Sequence, residues 1–178
     1  LNFAQVTPEL LPTILAVRVQ EKGQPAFDRL SGELQRVTQP TQRLAILTAL
    51  GSANQEATRQ QARQLILNPR VKVGEVRTVV NSINNYGDEQ GGLWSWFKVN
   101  HDAVFDRLGK SSAGRFPAMF SGGACTQQQA AQLNDFFAPR TKELVGVERG
   151  LKQTKERIQL CESLVAKQDG SLVQQLKL

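Results

Sequence analysis

Proline and glycine cut this chain into short runs, and within the runs apolar residues recur three and four apart. That combination restricts the chain to helices joined by short loops. A 3.6-residue period lines one face of a helix, whereas a strand needs strict alternation. Thr7-Pro8 has the form of an N-cap followed by proline at the first helical position, and Gly23 ends the helix it starts. Phe27, Leu30, Leu34 and Val37 line a second face, broken by Thr38-Gln39-Pro40. Leu44, Leu47 and Leu50 make a third stripe, ended by Gly51. Ala57, Ala62, Leu65 and Ile66 mark a fourth helix that stops before Asn68-Pro69. Val73, Val76, Val79, Val80 and Ile83 include β-branched types that suit a strand. Their spacing of three and four predicts a fifth helix instead.

Asn84-Asn85-Tyr86-Gly87-Asp88 reads as a loop. A long helix from Gln90 carries Leu93, Trp94, Phe97, His101, Val104, Phe105 and Leu108, and Gly109 ends it. A short helix follows from Ser111 to Phe120. Thr126 is placed to cap a helix bearing Ala130, Leu133, Phe136 and Phe137, which Pro139 closes. The last long helix carries Leu144, Val147, Leu151, Ile158, Cys161 and Val165, and Asp169-Gly170 separate it from a tail helix. The total is about nine or ten helices whose short loops make consecutive helices antiparallel neighbours. The predicted class is all-α, with stacked helix pairs in a HEAT-like solenoid. No composition shift marks an internal boundary, so residues 1–178 read as a single domain.

Composition removes several function classes. No apolar run reaches the length of a membrane span, so no membrane partner is expected. Leu1-Asn2-Phe3-Ala4-Gln5 lacks the basic and apolar regions of a signal peptide, which leaves cytoplasm and periplasm both open. The net charge of +6 invites an anionic partner. Yet Glu75 interrupts the basic stretch 59–77, and Glu143, Glu148 and Glu156 interrupt 140–157. Without a zinc-finger, RNP-like or bZIP pattern, nucleic acid is not the expected partner. Cys125 and Cys161 sit near apolar neighbours. Buried free thiols are the plain expectation, with a bridge between them left open.

No catalytic constellation is visible. His101 is the sole histidine, and zinc needs several convergent ligands. Asp102 adjoins it in sequence, but helix neighbours diverge by about 100°. Gly91-Gly92 and Gly122-Gly123 lack the order of a phosphate cradle, and no G-x-S-x-G elbow occurs. Trp94 and Phe97 share a helix face, while Trp96 points elsewhere.

The run Leu93-Trp94-Ser95-Trp96-Phe97-Lys98-Val99-Asn100-His101-Asp102 resembles a W-x-W-x-x-x-N-x-D segment of a known family. Five further pieces follow the same family order. They are the Arg43 to Gly51 helix ending in A-L-G, Val71 to Val80, Gly114-Arg115-Phe116-Pro117, Asn134-Asp135-Phe136-Phe137, and Glu148-Arg149-Gly150-Leu151 through Ile158. Together they resemble the C-terminal helical domain of gluzincin zinc aminopeptidases, the group of aminopeptidase N and the puromycin-sensitive and endoplasmic-reticulum aminopeptidases. The departures are Gly122-Gly123-Ala124-Cys125, where a shorter turn is usual, and Phe105, where leucine is usual.

The resemblance implies a right-handed helical superhelix at the end of a larger enzyme that removes N-terminal residues from peptides. This domain would be non-catalytic, enclosing the substrate cavity and limiting peptide access. Its partners would be the catalytic domain of the same polypeptide and the peptide substrate. Zinc and its ligands would lie upstream, with no cofactor in this chain. Trp94, Trp96, Asn100, Asp102, Pro117, Phe136, Phe137 and Arg149 would be structural signature positions. Arg77, Lys98 and Arg115 are the candidate cations for a peptide carboxylate. The alternative is a freestanding HEAT-like scaffold binding protein or nucleic acid.

Overall fold

The computed structural model describes residues 6–87 and 91–168. Among these residues nine α-helices form and no strand does: α1 Leu11–Lys22, α2 Gln24–Glu33, α3 Pro40–Gly51, α4 Glu56–Gln64, α5 Val76–Ser82, α6 Gly92–Leu108, α7 Phe116–Phe120, α8 Gln127–Phe137 and α9 Val147–Gln168. The all-α expectation holds, and the helix content is compatible with a helical superhelix. The expected start of the long helix at Gln90 and the tail helix after Gly170 lie outside the described residues. The chain divides into two compact units, Leu1–Leu108 and Gly109–Leu178.

In the first unit α3 is the central element and packs against α1 and α5. Ala45, Ile46, Leu47, Ala49 and Leu50 are buried on several sides of it, as an inner helix requires. Leu44, expected in the core stripe, is instead 39% exposed. Ala57 of α4 is likewise exposed, and Thr58 takes the buried place beside it. Gly51 lets α3 approach α5 closely: a Cβ there would lie 2.6 Å from the Ser82 Cβ and 2.9 Å from the Val79 carbonyl oxygen. The valine-rich segment is helical, as its spacing predicted, with Val76, Val79 and Val80 buried and Val73 exposed. The expected loop at Asn84 continues instead as a π-helix, Ile83–Gly87. The first helix begins at Leu11, not at Pro8, because residues 8–10 form a turn whose Leu10 N–H donates to the Thr7 carbonyl at 3.1 Å.

One buried ion pair ties the first unit together. Arg43 on α3 donates from Nε to Glu75 Oε1 at 2.8 Å and from Nη2 to Oε2 at 2.9 Å. It also donates to the carbonyls of Leu34 at 2.7 Å, Val37 at 3.2 Å and Arg70 at 3.0 Å. All five guanidinium donors are thus used. Glu75 also accepts from the Lys72 backbone N–H at 3.0 Å. The pair therefore gathers the chain after α2, the body of α3 and the connection from α4 to α5.

Hydrogen bonding from Arg43 holds the Glu75 carboxyl below the ordinary carboxylate range. Burial opposes this, and the Lys72 N–H adds to it. A carboxyl lowered in the folded state stabilises above its unfolded value of about 4.3. That contribution is lost as pH falls through the folded value. The urea midpoint followed by Trp94 and Trp96 fluorescence is expected to hold down to about pH 5 and fall below about pH 4. In a Glu75→Gln variant the acid fall should be shallower. An equally steep fall would remove Glu75 from the account.

In the second unit α9 packs against α7, α8 and the 3-10 turn Lys110–Arg115. The closest approach is backbone on backbone. A Cβ on Gly150 would collide with the Gly114 carbonyl oxygen, so α9 can pass the 3-10 turn only with glycine there. Two family-like motifs, the Gly114 turn and the Gly150 helix, therefore meet in space. In an exposed helix interior Gly→Ala gains up to about 1 kcal/mol. Here Gly150→Ala is expected to cost about 2–3 kcal/mol through overpacking. Chemical denaturation followed by helical circular dichroism would read it, and a stabilised variant would contradict the close approach.

Thr126 caps α8 as predicted. Its Oγ1 accepts from the Gln129 N–H at 3.3 Å, and Gln129 Oε1 accepts from the Thr126 N–H at 3.1 Å, a reciprocal capping box. The expectation of free thiols is overturned: Cys125 and Cys161 form a disulfide, with Cα atoms 5.2 Å apart. The packing of α8 on α9 is the reason, since it carries Cys125, just before the cap, to the side of α9. Next to the bridge, Glu162 accepts from the Gln127 backbone N–H at 3.1 Å and from its side chain at 2.9 Å. That places a carboxylate at the positive end of α8.

Candidate functional site

The aromatic segment at the start of α6 is built by helical spacing. Trp94 and Phe97 face inward and stack at 5.7 Å, and Phe105 meets Phe97 edge-on at 6.0 Å. Trp96 leaves that face and is half-buried, as the spacing predicted. Asn100 donates to the Trp96 carbonyl at 2.8 Å, so two signature residues are joined one turn apart. Lys98 lies on the exposed side with its Nζ 5.7 Å from the Trp94 ring centroid. The far end of α6 is pinned by Arg107, whose Nη2 donates to the Asn68 carbonyl at 2.7 Å and to that of Val71.

His101 and Asp102 come closer than their helical positions predicted, with Nε2 3.4 Å from Oδ1. The histidine Nδ1 lies 2.9 Å from the Lys98 carbonyl oxygen, and its ring meets Phe105 edge-on at 5.5 Å. Asp102 itself is exposed. Among the described residues no three His, Cys, Asp or Glu side chains gather as a metal-holding group.

Arg77 lies exposed on α5, in the same unit as Lys98. Arg115 lies exposed in the second unit, at the end of the 3-10 turn before α7. Pro117 is buried in the first turn of α7. Phe136 and Phe137 meet edge-on at 5.0 Å at the end of α8, with Phe137 buried. The Arg140 guanidinium lies over the Phe136 ring, 4.1 Å from its centroid. Arg149 is exposed on α9.

A cleft of about 450 Å³ opens between the end of α8 and α9, lined among others by Asn134, Glu148, Lys152, Lys155 and Glu156. Lys155 Nζ donates to Asn134 Oδ1 at 3.2 Å across it. The lining mixes both signs of charge and contains no candidate cation from the sequence. Nothing in the spacing of these lysines and glutamates marks a cleft.

A family model described as ERAP1-like C-terminal domain matches residues 2–160 of the chain. Aminopeptidase M1-B of Oryza sativa subsp. japonica is 27% identical over 135 residues, which covers 75% of this chain and 15% of that protein. The chain thus aligns with a small part of that relative's length.

Proposed function

Because this chain belongs to the ERAP1-like C-terminal domain family, we propose that it is the non-catalytic C-terminal domain of a zinc-dependent aminopeptidase. In this role it encloses the substrate cavity and limits which peptides enter. The observation that carries the reading is the family match across residues 2–160. The name of the rice relative, an aminopeptidase, supports it.

The described residues do not themselves fit a zinc site. His101 Nε2 lies 3.4 Å from Asp102 Oδ1 and Nδ1 lies against the Lys98 carbonyl, and among the described residues no group of three ligand-type side chains gathers. In this reading the metal and the bond-breaking steps belong to residues outside this chain. What this chain supplies is walls and charge. Arg77, Lys98 and Arg115 are exposed cations that could face a peptide's C-terminal carboxylate from such walls.

The test is the natural polypeptide itself. An antibody raised against this chain is expected to detect a band several times larger than 19.7 kDa. The captured protein should release N-terminal residues from peptides, and a zinc chelator should abolish that activity. A band near 19.7 kDa with no larger precursor would sink the reading.

A further inference from the structure

Helix α9 changes character at Ile158. Up to that point Val147, Leu151, Thr154 and Ile158 are buried at spacings of four, three and four, which makes one core-facing stripe. From Gln159 to Lys167 no residue is buried, and Leu160, Leu164 and Val165 are 66%, 60% and 51% exposed. This stretch has no stripe against the core. It continues the helix by propagation, which gains little per residue in water.

The stretch is tied to the start of α8 by the Cys125–Cys161 bridge and by Glu162, which accepts from the Gln127 backbone N–H and side chain. Those two hydrogen bonds are exposed, so water competes for them. Neither bridged cysteine is buried. A thiolate from solution can therefore reach the sulfurs, as it cannot when a bridge is sealed in a core.

We propose that the bridge is a redox latch on the end of α9. Closed, it holds residues 159–167 against the start of α8. Opened by a dithiol reductant, it frees that stretch while the rest of the second unit stays folded. One thiolate of the reductant attacks a bridge sulfur, forming a mixed disulfide and releasing the other cysteine as a thiolate that takes up a proton. The second thiol of the reductant then displaces the first cysteine. The reductant leaves as a disulfide, and its two electrons and two protons end on Cys125 and Cys161. The unit stays folded because the stripe from Val147 to Ile158 and the α8 capping box use neither sulfur. The inference draws on the contacts of the second unit alone and is independent of the peptidase reading.

The experiment uses the intact polypeptide, left oxidised or treated with dithiothreitol under native conditions. Alkylation mapped peptide by peptide shows whether Cys125 and Cys161 have opened, and hydrogen exchange is read separately over 147–158 and 159–167. With the bridge closed, both stretches should exchange at least about a hundredfold slower than an unstructured chain. With it open, 159–167 should exchange within about tenfold of the unstructured rate, while 147–158 keeps protection of about a hundredfold or more. The double variant Cys125→Ser, Cys161→Ser should reproduce the open state and ignore dithiothreitol in this stretch. If that variant does not fold, the reduced natural protein decides alone. A bridge that opens only in denaturant would overturn the proposal, as would exchange over 159–167 that opening leaves unchanged. Loss of protection over 147–158 as well would also overturn it, making the bridge a staple of the whole unit.

Discussion

Replacing Arg43 with methionine is expected to lower the unfolding free energy of the first unit by about 3–5 kcal/mol. Methionine keeps much of the length and the apolar packing. It leaves Glu75 buried without its partner and the carbonyls of Leu34, Val37 and Arg70 without a donor. Breaking a buried pair from one side is costly because the remaining charge has lost both water and partner. Glu75→Gln removes the charge but keeps a hydrogen-bonding group, and should cost about 1–3 kcal/mol. Arg43→Lys should rescue little, since one ammonium cannot span a carboxylate and three separate carbonyls. Trp94 and Trp96 belong to the same unit as Arg43, so their fluorescence during urea unfolding reports the change. A loss under about 1 kcal/mol for Arg43→Met would mean that the pair contributes no more than an exposed one.

Removing the Cys125–Cys161 bridge should cost the second unit about 3–4 kcal/mol. The linked residues are 36 apart, and the bridge chiefly lowers the entropy of the unfolded chain. The double variant Cys125→Ser, Cys161→Ser is the cleaner test, because a single replacement leaves a reactive thiol. The α8 capping box does not involve either sulfur, so the variant should keep its helix and lose the tether to α9. Helical circular dichroism during chemical denaturation should place the reduced protein and the double variant together, below the oxidised protein. Equal midpoints for all three, or two titratable thiols in the natural protein, would remove the bridge from the account. With the bridge closed, both cysteines are unavailable as nucleophiles, which leaves thiol catalysis no group in this chain.

The aromatic segment was legible because it depends on one helix. Spacing alone put Trp94 and Phe97 on one face and Trp96 on another. The same reading misjudged His101 and Asp102. Backbone directions diverge by 100°, but an imidazole and a carboxylate reach around the helix far enough to come within 3.4 Å. The cleft beside α9 was invisible for a different reason. Glu148, Lys152, Lys155 and Glu156 follow the pattern of an outer helix face, and the end of α8 alone turns part of that face into a wall.

By itself the sequence determined the helices, most of their ends and the order of family-like motifs. These depend on spacing, caps and breakers within a few residues, where backbone geometry is local. Thr126 with Gln129 and the valines of α5 are such cases. Tertiary structure decided which distant residues meet: Arg43 with Glu75, Cys125 with Cys161, and Gly114 with Gly150. Each meeting spans more than thirty positions, and nothing in local periodicity encodes a distance across that separation. The core forms by burying whichever faces fit together. The buried ion pair, the disulfide and the glycine contact exist because that fit brought their atoms within reach.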